Sequence, residues 1–449
     1  PGPAGGVAEE RSPLTLAQAQ DLIRCSGHTG TTIGPLVVTT GGWRTHDASQ
    51  DLSVCVVDLA ARGGPLIRAP ALTPDSARPG RRLRHCACAV RPRFVRDRPG
   101  CEALGRQAVL VLGGCDDRSH AAKPGLVELN FLEFTKGDGS EAEWRVEAAT
   151  GTCPKTLWHS SCGSYAGGKK VVVFGGDFED SDPEFEHIRD RQAAALVYVL
   201  DLDTAVWDRV TTSGPGPAWR SLHVGVTHTS LSDSTERLVV FGGTEDHVQI
   251  FSGGDVADMN GFALNLKTFV WQRSPPGRRP APRMRFSAER YGRHLLVYGG
   301  HGNGEISAAQ TYWKLNLLTL EWSTVEVVNR PHSHVTVPGN SLAGGILMGG
   351  VSFSLLGAHA VPKLDFLLLD GAFGVPPDHD ARPLRGSGDL DGGSEEEDER
   401  VVQVEMRGPQ GLVRTLRVQA GVLARMLRGG LLRRMPSESS SEDEDMGRL

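Results

Sequence analysis

The sequence lacks several features that would assign it to a common class of protein. No uninterrupted apolar stretch approaches the roughly 18 residues that cross a bilayer, so we expect no membrane-spanning segment. No G-x-S-x-G elbow, H-E-x-x-H motif, P-loop or dinucleotide-binding fingerprint occurs, and only five tyrosines are present. These absences argue against the enzymes that depend on such motifs, and we expect a protein that is not an enzyme.

Cysteine spacing also argues against a metal centre. The eight cysteines are dispersed and none belongs to a C-x-x-C pair, so neither a metal nor another cofactor is expected. Cys86 and Cys88 could act as a redox pair, but we expect strand geometry to point them to opposite faces. The cysteines are therefore interpreted as reduced, mostly buried thiols of an intracellular protein, cytoplasmic or nuclear.

Positive charge is not in excess. The net charge is −6, and much of the acidity lies in two runs at 395–399 and 442–445. This balance gives no electrostatic reason to expect nucleic acid or an anionic membrane as a partner. Glycine and proline, by contrast, are abundant at 56 and 27 residues, which indicates many short strands joined by tight turns.

One element recurs six times: a short apolar run, mostly β-branched, followed by Gly-Gly. The absence of alternation in the run indicates a strand buried on both faces. The glycines indicate a sharp turn or a close approach that a Cβ would block. The pairs are Gly41-Gly42, Gly113-Gly114, Gly175-Gly176, Gly242-Gly243, Gly299-Gly300 and Gly349-Gly350.

A second segment, Leu-(Asp/Asn)-Leu-x-Thr-x-x-Trp, follows three of these runs, at 200–207, 264–271 and 315–322. Its short polar residues predict a hairpin turn, and its Trp predicts packing between neighbouring sheets. A further strand precedes each run and opens with a basic or aromatic residue. Four strands in each of six units predict a β-propeller. The tryptophans of the repeat are Trp144, Trp207, Trp271 and Trp322.

These motifs resemble the kelch repeat over residues 12–372, after a lead-in at 1–11 that we expect to be disordered. The resemblance implies an all-β, six-bladed kelch-type β-propeller that binds a partner protein. The first and last units lack the Trp. We expect Pro65-Leu66-Ile67 to replace the Trp-bearing strand in the first unit. We expect Leu14-Thr15-Leu16 to complete the last sheet and latch the ring.

The chain changes character after the propeller. Residues 373–400 are acidic and Gly-rich, which predicts a flexible linker. Alternation within 401–419 predicts a β-hairpin, and the spacing of Val422, Leu423, Met426 and Leu427 predicts a helix. The segment 401–434 resembles the opening of a BTB/Skp1-type (POZ) domain: either the chain is truncated within such a domain or the resemblance is accidental. The acidic, Ser-rich tail at 435–449 suits an acid-directed kinase or is simply a solvated loop.

Basic, aromatic and hydroxyl side chains recur where the inner strands are predicted to begin. In kelch propellers this segment, together with the loops that follow Gly-Gly, commonly lines the partner-binding face. Guanidinium groups converging on one mouth would suit an acidic peptide. The alternative is that each arginine binds loop carbonyls and orders its own blade. The candidates are Arg84, Trp158, Arg220, Ser221, Arg285 and Ser287.

Histidine recurs near the same place, at His85, His159, His223 and His334. Recurrence in every blade favours a shared packing or hydrogen-bonding task over metal ligation. Three functions follow from the whole pattern. The first is a substrate adaptor that links its target to a cullin-type ubiquitin ligase, and the second is a kelch scaffold without a recruiting role. The third is a propeller enzyme, such as a copper oxidase, which would need a Tyr/His/Cys ligand cluster.

Overall fold

The architecture of this computed structural model is all-β, apart from one 3-10 helix at Glu102–Leu104 in the part of the chain that the structure describes. The chain divides into two units, the larger comprising Pro1–Leu59 and Leu66–Ser387 and the smaller Ala60–Pro65 and Gly388–Leu449. The structure describes residues 27–42, 51–61, 66–116, 125–179, 181–185, 196–230, 233–245, 256–291, 293–301, 312–325, 341–343, 346–348, 351–354, 357–360, 364–366, 401–407 and 413–419.

The larger unit is a β-propeller with five complete blades, each built on four antiparallel strands that follow one another outward; blades 2 and 3 have a fifth, parallel strand at the outer edge. Blade 1 consists of β1 (Thr29–Ile33), β2 (Leu36–Thr40), β3 (Val54–Asp58) and β4 (Leu66–Arg68). Blade 2 consists of β5 (Ala71–Leu72), β6 (Cys86–Val90), β7 (Ala108–Leu112), β8 (Glu128–Phe134) and β9 (Glu141–Ala148). Blade 3 consists of β10 (Thr150–Gly151), β11 (Ser161–Tyr165), β12 (Lys170–Phe174), β13 (Leu196–Asp201) and β14 (Val206–Thr211).

The last two complete blades have four strands each. Blade 4 consists of β15 (Val224–Thr229), β16 (Glu236–Phe241), β17 (Phe262–Asn265) and β18 (Trp271–Arg273). Blade 5 consists of β19 (Met284–Tyr291), β20 (His294–His301), β21 (Tyr312–Asn316) and β22 (Trp322–Val325). The Leu66–Ile67 segment does supply the fourth strand of blade 1, as the sequence predicted.

The prediction of six four-stranded blades is wrong. Within the described residues, the sixth apolar run gives a three-stranded sheet of β23 (Ser341–Ala343), β24 (Ile346–Met348) and β27 (Leu364–Phe366), and β25 (Val351–Ser354) pairs with β26 (Gly357–Ala360). Blade 1 also lacks the Trp but gains its outer strand from Leu66–Ile67, whereas no described segment supplies a fourth strand to the last repeat. Strand β23 contacts both β1 and β19. The proposed latch at 14–16 lies outside the described residues.

Each apolar run forms the second strand of its sheet, and in blades 1 to 4 the run is buried from end to end. The Gly-Gly pair follows the strand because neighbouring segments of the backbone leave no room for a Cβ at these positions. A Cβ on Gly41 would lie 2.6 Å from Cε1 of His85, the inner-strand residue of the next blade, and the φ of Gly41 is +62°. A Cβ on Gly176 would lie 2.8 Å from the Trp158 carbonyl of its own blade. The glycine pair therefore sits between two blades.

The Trp-bearing segments behave as predicted. The side-chain oxygens of Asp201, Asn265 and Asn316 each accept hydrogen bonds from two backbone amides within the following turn, at 2.9–3.3 Å. The tryptophan that follows packs against the previous blade. Trp207 Nε1 donates to the carbonyl of Leu126 at 2.7 Å, and both tryptophan and carbonyl are buried. The short polar residue orders the turn, and the tryptophan joins its own blade to the preceding one.

Successive blades are also joined at their outer edges. The chain that leaves blade 1 adds β5 to blade 2, parallel to β9, and the chain that leaves blade 2 adds β10 to blade 3, parallel to β14. A single parallel bridge, Ser213 with Val270, does the same between blades 3 and 4. Each crossing segment thus covers part of the next blade's exposed edge before the chain turns inward.

The smaller unit contains β28 (Val401–Arg407) and β29 (Val413–Gln419), which pair antiparallel with Val401 opposite Gln419. The helix predicted to follow and the acidic tail lie outside the described residues. No helix in the described ranges is long and apolar enough to cross a membrane.

Candidate functional site

The inner strands β1, β6, β11, β15, β19 and β23 contact one another in sequence and surround a central channel. The channel holds an open cavity of about 410 Å³, and its wall consists mainly of small residues, with hydroxyls, thiols and glycines from five blades. Its lining includes Thr29, Thr31, Cys86, Ser161 and Ser287. We call the end at which the inner strands begin the upper mouth.

A collar of backbone hydrogen bonds lines the upper mouth from blade 1 to blade 5. One residue from each of these blades takes part, and in blades 2 to 5 its amide donates to the carbonyl of its counterpart in the preceding blade at 2.8–3.2 Å. Every member has a left-handed backbone conformation, with φ between +55° and +71°, which only glycine adopts without strain. The five members are Gly27, Arg84, His159, Leu222 and Arg285.

Two of the sequence-predicted arginines, Arg84 and Arg285, are collar members, and their charges converge. Burial, together with the positive charge of Arg84, lowers the pKa of Arg285 to about 10, while Asp177 opposes the shift. The Arg285 guanidinium is therefore protonated at pH 7. Asp177 is buried at the same place, where its carboxylate accepts a hydrogen bond from Nδ1 of His159 at 3.0 Å.

His159 adds no charge to this cluster at neutral pH. Burial lowers its pKa to about 4 in spite of the hydrogen bond to Asp177, and the positive charges of Arg84 and Arg285 lower it further. Two cations and one anion thus meet at the upper mouth, which leaves one positive charge in this group of residues.

Arg220, a third predicted site residue, has a different task. It is 3% exposed, and its guanidinium donates to the carbonyls of Ala218 and Gly242 at 3.2 and 3.1 Å and binds Glu245 at 2.7 Å. Arg82 and Arg283 donate in the same way to the Gly-Gly carbonyls of blades 2 and 5. Arg220 therefore matches the alternative in which an arginine binds loop carbonyls and orders its own blade.

The other predicted residues occupy two further repeat positions. Trp158 and Ser221 are equivalent, because each exchanges two backbone hydrogen bonds with the residue after Gly-Gly, Asp177 or Thr244. Ser287 is buried in the channel wall, below the mouth. The structure therefore brings Arg84, Arg285 and Trp158 to the upper mouth and places Arg220 within a blade.

The recurring histidines do not all share one position. His85 and His223 do: Nε2 of His85 contacts Thr29 Oγ1 at 2.9 Å, and Nε2 of His223 contacts Ser161 Oγ at 2.7 Å, each in the preceding blade. Phe286 fills this position in blade 5. His159 lies one residue earlier, in the collar, so the prediction of a single histidine position is wrong for it. His334 lies outside the described residues.

Sequence reasoning missed two features of this region. Asp177 follows Gly-Gly directly, and only the structure reveals that it is buried beside two arginines. Cys86 and Cys88 share the buried face of β6, so the prediction of opposite faces is wrong: residues two apart on a strand point the same way. No group of three or more histidine, cysteine or acidic side chains in the described ranges is arranged to hold a metal ion.

A second cavity of about 300 Å³ lies at the opposite end of the channel, which we call the lower mouth. Arg91 and Arg290 contribute positive charge to its lining, and both are exposed. The only acidic side chain in this lining, Glu236, accepts a hydrogen bond from the Ala166 amide at 2.8 Å. Cationic groups therefore occur at both mouths, but those of the upper mouth are more deeply buried.

Glycine pairs between blades, tryptophans bonded to the preceding blade and an inner ring of strands define a kelch-type β-propeller. A family model described as the KLHDC2/KLHL20/DRC7 Kelch-repeats domain matches residues 100–335, which is more than half of the chain. The chain belongs to this kelch-repeat family, and the resemblance predicted from the sequence is confirmed.

Relatives of known name are similar over part of the chain. Acyl-CoA-binding domain-containing protein 4 of Arabidopsis thaliana is 31% identical over 162 residues, which are 36% of this chain and 20% of that protein. Host cell factor 1 of Homo sapiens is 29% identical over 252 residues, 51% of this chain and 11% of that protein. The chain thus matches a fifth or less of the length of these relatives.

Proposed function

We propose that this protein is an interaction module whose upper mouth binds an acidic segment of a partner protein. The observation that carries the proposal is the grouping of two arginines and one carboxylate around His159. Its amide bonds to Arg84, its ring bonds to Asp177, and the charges of Arg84, Arg285 and Asp177 all act on it. Like charges held together repel, so a carboxylate entering between them relieves repulsion and gains charge-assisted hydrogen bonds. Guanidinium groups bind carboxylates with two parallel donors, which makes arginine better suited to this task than lysine.

Backbone strain supports the same proposal. Gly27 occupies the collar in blade 1 without strain, whereas the left-handed conformation costs a residue with a side chain about 1 kcal/mol. Arg84 and Arg285 accept this cost at a position where glycine would serve the fold. Strain of this kind is concentrated at binding and catalytic sites, and here it presents two cations to the channel mouth.

The experiment is selection of peptides on the purified full chain from a random displayed library. We expect the enriched sequences to carry clustered Asp or Glu, and we expect their binding to weaken with added salt. Charge reversal at the upper mouth, Arg84→Glu with Arg285→Glu, should abolish it. The matched control is Arg91→Glu with Arg290→Glu at the lower mouth, which should leave binding within about twofold. Enriched peptides without acidic residues, or binding lost only in the control, would contradict the proposal.

A ligase-adaptor role is the narrower form of the proposal. It draws on the antiparallel pair of β28 and β29 in the smaller unit, at the segment that resembles the opening of a BTB/Skp1-type domain. A partner protein would then occupy the propeller while this segment recruits a cullin. Capture of a cullin by the full chain, lost on deletion of residues 401–434, would support the adaptor role. Capture of propeller partners without a cullin would favour a scaffold.

An intracellular location is part of the proposal. Seven cysteines in the described ranges form no disulfide, and all seven are buried. Unbridged thiols at this number are typical of a reducing compartment.

A further inference from the structure

Three free cysteines meet in the wall of the channel, at the boundary between blades 2 and 3. Cys86 and Cys88 lie on β6, and Cys162 lies on the neighbouring inner strand, β11. Strands β6 and β11 contact each other directly, and the Cys162 side chain interacts with both Cys86 and Cys88. All three are buried, at 5–9% exposure, yet all three line the open central cavity. A small solute in the channel can therefore reach the thiols, whereas a protein cannot.

The two blades give these thiols different chemistry. Hydrogen bonds from Cys162 and from the Ser160 hydroxyl, whose oxygen is 3.5 Å from the sulfur, lower the pKa of Cys86. Donation to Cys86 and contact with Cys88 raise the pKa of Cys162 well above its usual value. Cys86 is thus the better nucleophile of the pair, and Cys162 is a protonated thiol beside it.

We propose that the channel wall carries a peroxide-sensitive thiol site, in which Cys86 is oxidised and then forms a disulfide with Cys162 across the boundary between blades 2 and 3. In the first step the Cys86 thiolate attacks hydrogen peroxide, the O–O bond breaks, and hydroxide leaves from a sulfenic acid. In the second step the Cys162 sulfur attacks that sulfenic sulfur, the S–O bond breaks, and water leaves with the thiol proton. Two thiols lose two electrons in total and one peroxide gains them.

The site is independent of the proposed peptide binding, because neither thiol belongs to the collar. Oxidation of the site is expected to stabilise the propeller. A disulfide between Cys86 and Cys162 would close a loop of more than seventy residues and would hold two neighbouring blades together at the channel. The reduced Cys86 thiol also donates to the carbonyl of Leu112, with 3.9 Å between sulfur and oxygen.

The test begins with the unaltered chain. The protein is treated with hydrogen peroxide, its remaining thiols are blocked with N-ethylmaleimide in denaturant, and non-reduced tryptic peptides are mapped by mass spectrometry. We expect a linked pair made of peptides 85–93 and 156–169, lighter by two hydrogen atoms and released by dithiothreitol. Cys153, buried in blade 3 with a pKa raised by burial to about 12, should remain free and serves as the internal control.

Peptide 85–93 contains both Cys86 and Cys88, so variants assign the bond. The linked pair should persist in Cys88→Ser and disappear in Cys86→Ser. Oxidised wild-type protein should also melt several degrees above the reduced form, and this difference should vanish in Cys162→Ser. The proposal is overturned by a bond within peptide 85–93 in place of the linked pair, or by oxidation of Cys153 as readily as Cys86. Because the mapping uses wild-type protein, its result does not depend on whether a variant folds.

Discussion

Replacement of His223 by phenylalanine should make the propeller more resistant to acid. The imidazole is buried against Phe174, with ring centroids 5.5 Å apart, and its Nε2 contacts Ser161 Oγ at 2.7 Å. Blade 5 already carries Phe286 at the equivalent position, where the ring packs on Phe241 of the preceding blade at 5.4 Å. The fold therefore tolerates an aromatic hydrocarbon at this place.

The magnitude follows from linkage. Burial lowers the pKa of His223 to about 3, from an ordinary value of 6.5. The unfolded chain then binds a proton between these values and the folded chain does not, so stability is complete above pH 6.5 and falls as the pH drops towards 3. At pH 5 the loss is about 2 kcal/mol, since each unit below 6.5 costs about 1.4 kcal/mol. Phenylalanine removes this loss but forfeits the hydrogen bond to Ser161, at about 1 kcal/mol.

The assay is urea unfolding followed by tryptophan fluorescence, at pH 7.5 and at pH 5.0. Between these pH values His223→Phe should lose about 2 kcal/mol less stability than the wild type. Ser161→Ala is the matched control: it removes the hydrogen bond and keeps the imidazole, so its loss on acidification should equal that of the wild type. Equal losses in His223→Phe and wild type would refute the linkage, because His85 and His159 titrate identically in both proteins.

Three further substitutions test contacts between and within blades, with denaturant unfolding at pH 7.5 as the measurement in each case. Gly41→Ala should cost at least about 3 kcal/mol, because the new Cβ meets a backbone carbonyl and an imidazole, whereas Gly167→Ala, at a similar φ with nothing within 4 Å, should cost about 1 kcal/mol. Arg220→Lys should cost about 2–3 kcal/mol, since lysine cannot satisfy two carbonyls and a carboxylate together, while the exposed Arg273→Lys should be nearly neutral; equal effects would contradict the structural role of Arg220. Asn265→Ala should cost about 1 kcal/mol through loss of its two amide partners in the turn, and no change would mean that the turn orders itself.

Local chemistry accounts for what the sequence predicted correctly. The roles of a Gly-Gly pair and of Asp or Asn in a tight turn depend on the few residues around them, so they can be inferred from the local sequence. The same holds for the tryptophans, whose large apolar area must be buried wherever the strand lies.

Long-range closure accounts for what the sequence could not predict. The sequences Leu157-Trp158-His159 and Leu83-Arg84-His85 align His159 with His85. In the structure His159 is equivalent to Arg84 instead, because these two residues share a positive φ and the hydrogen bonds of the collar between blades. The approach of Cys162 to Cys86 joins positions more than seventy residues apart. The blade count failed for a related reason, since the apolar run signals one strand and not the number of partners it finds.

The two-residue strands β5 and β10 protect the propeller against aggregation through its edge strands. An unpaired outer strand presents backbone donors and acceptors that any extended chain can pair with, and each of the five complete blades has such an edge strand. Short parallel pairings occupy part of two of these edges, and the Ser213 bridge occupies part of a third. Each of these pairings is made by the segment that leaves the preceding blade. Local unfolding of one blade therefore exposes the outer edge of the next blade, and that exposed edge can pair with another copy of the protein as well as promote unfolding.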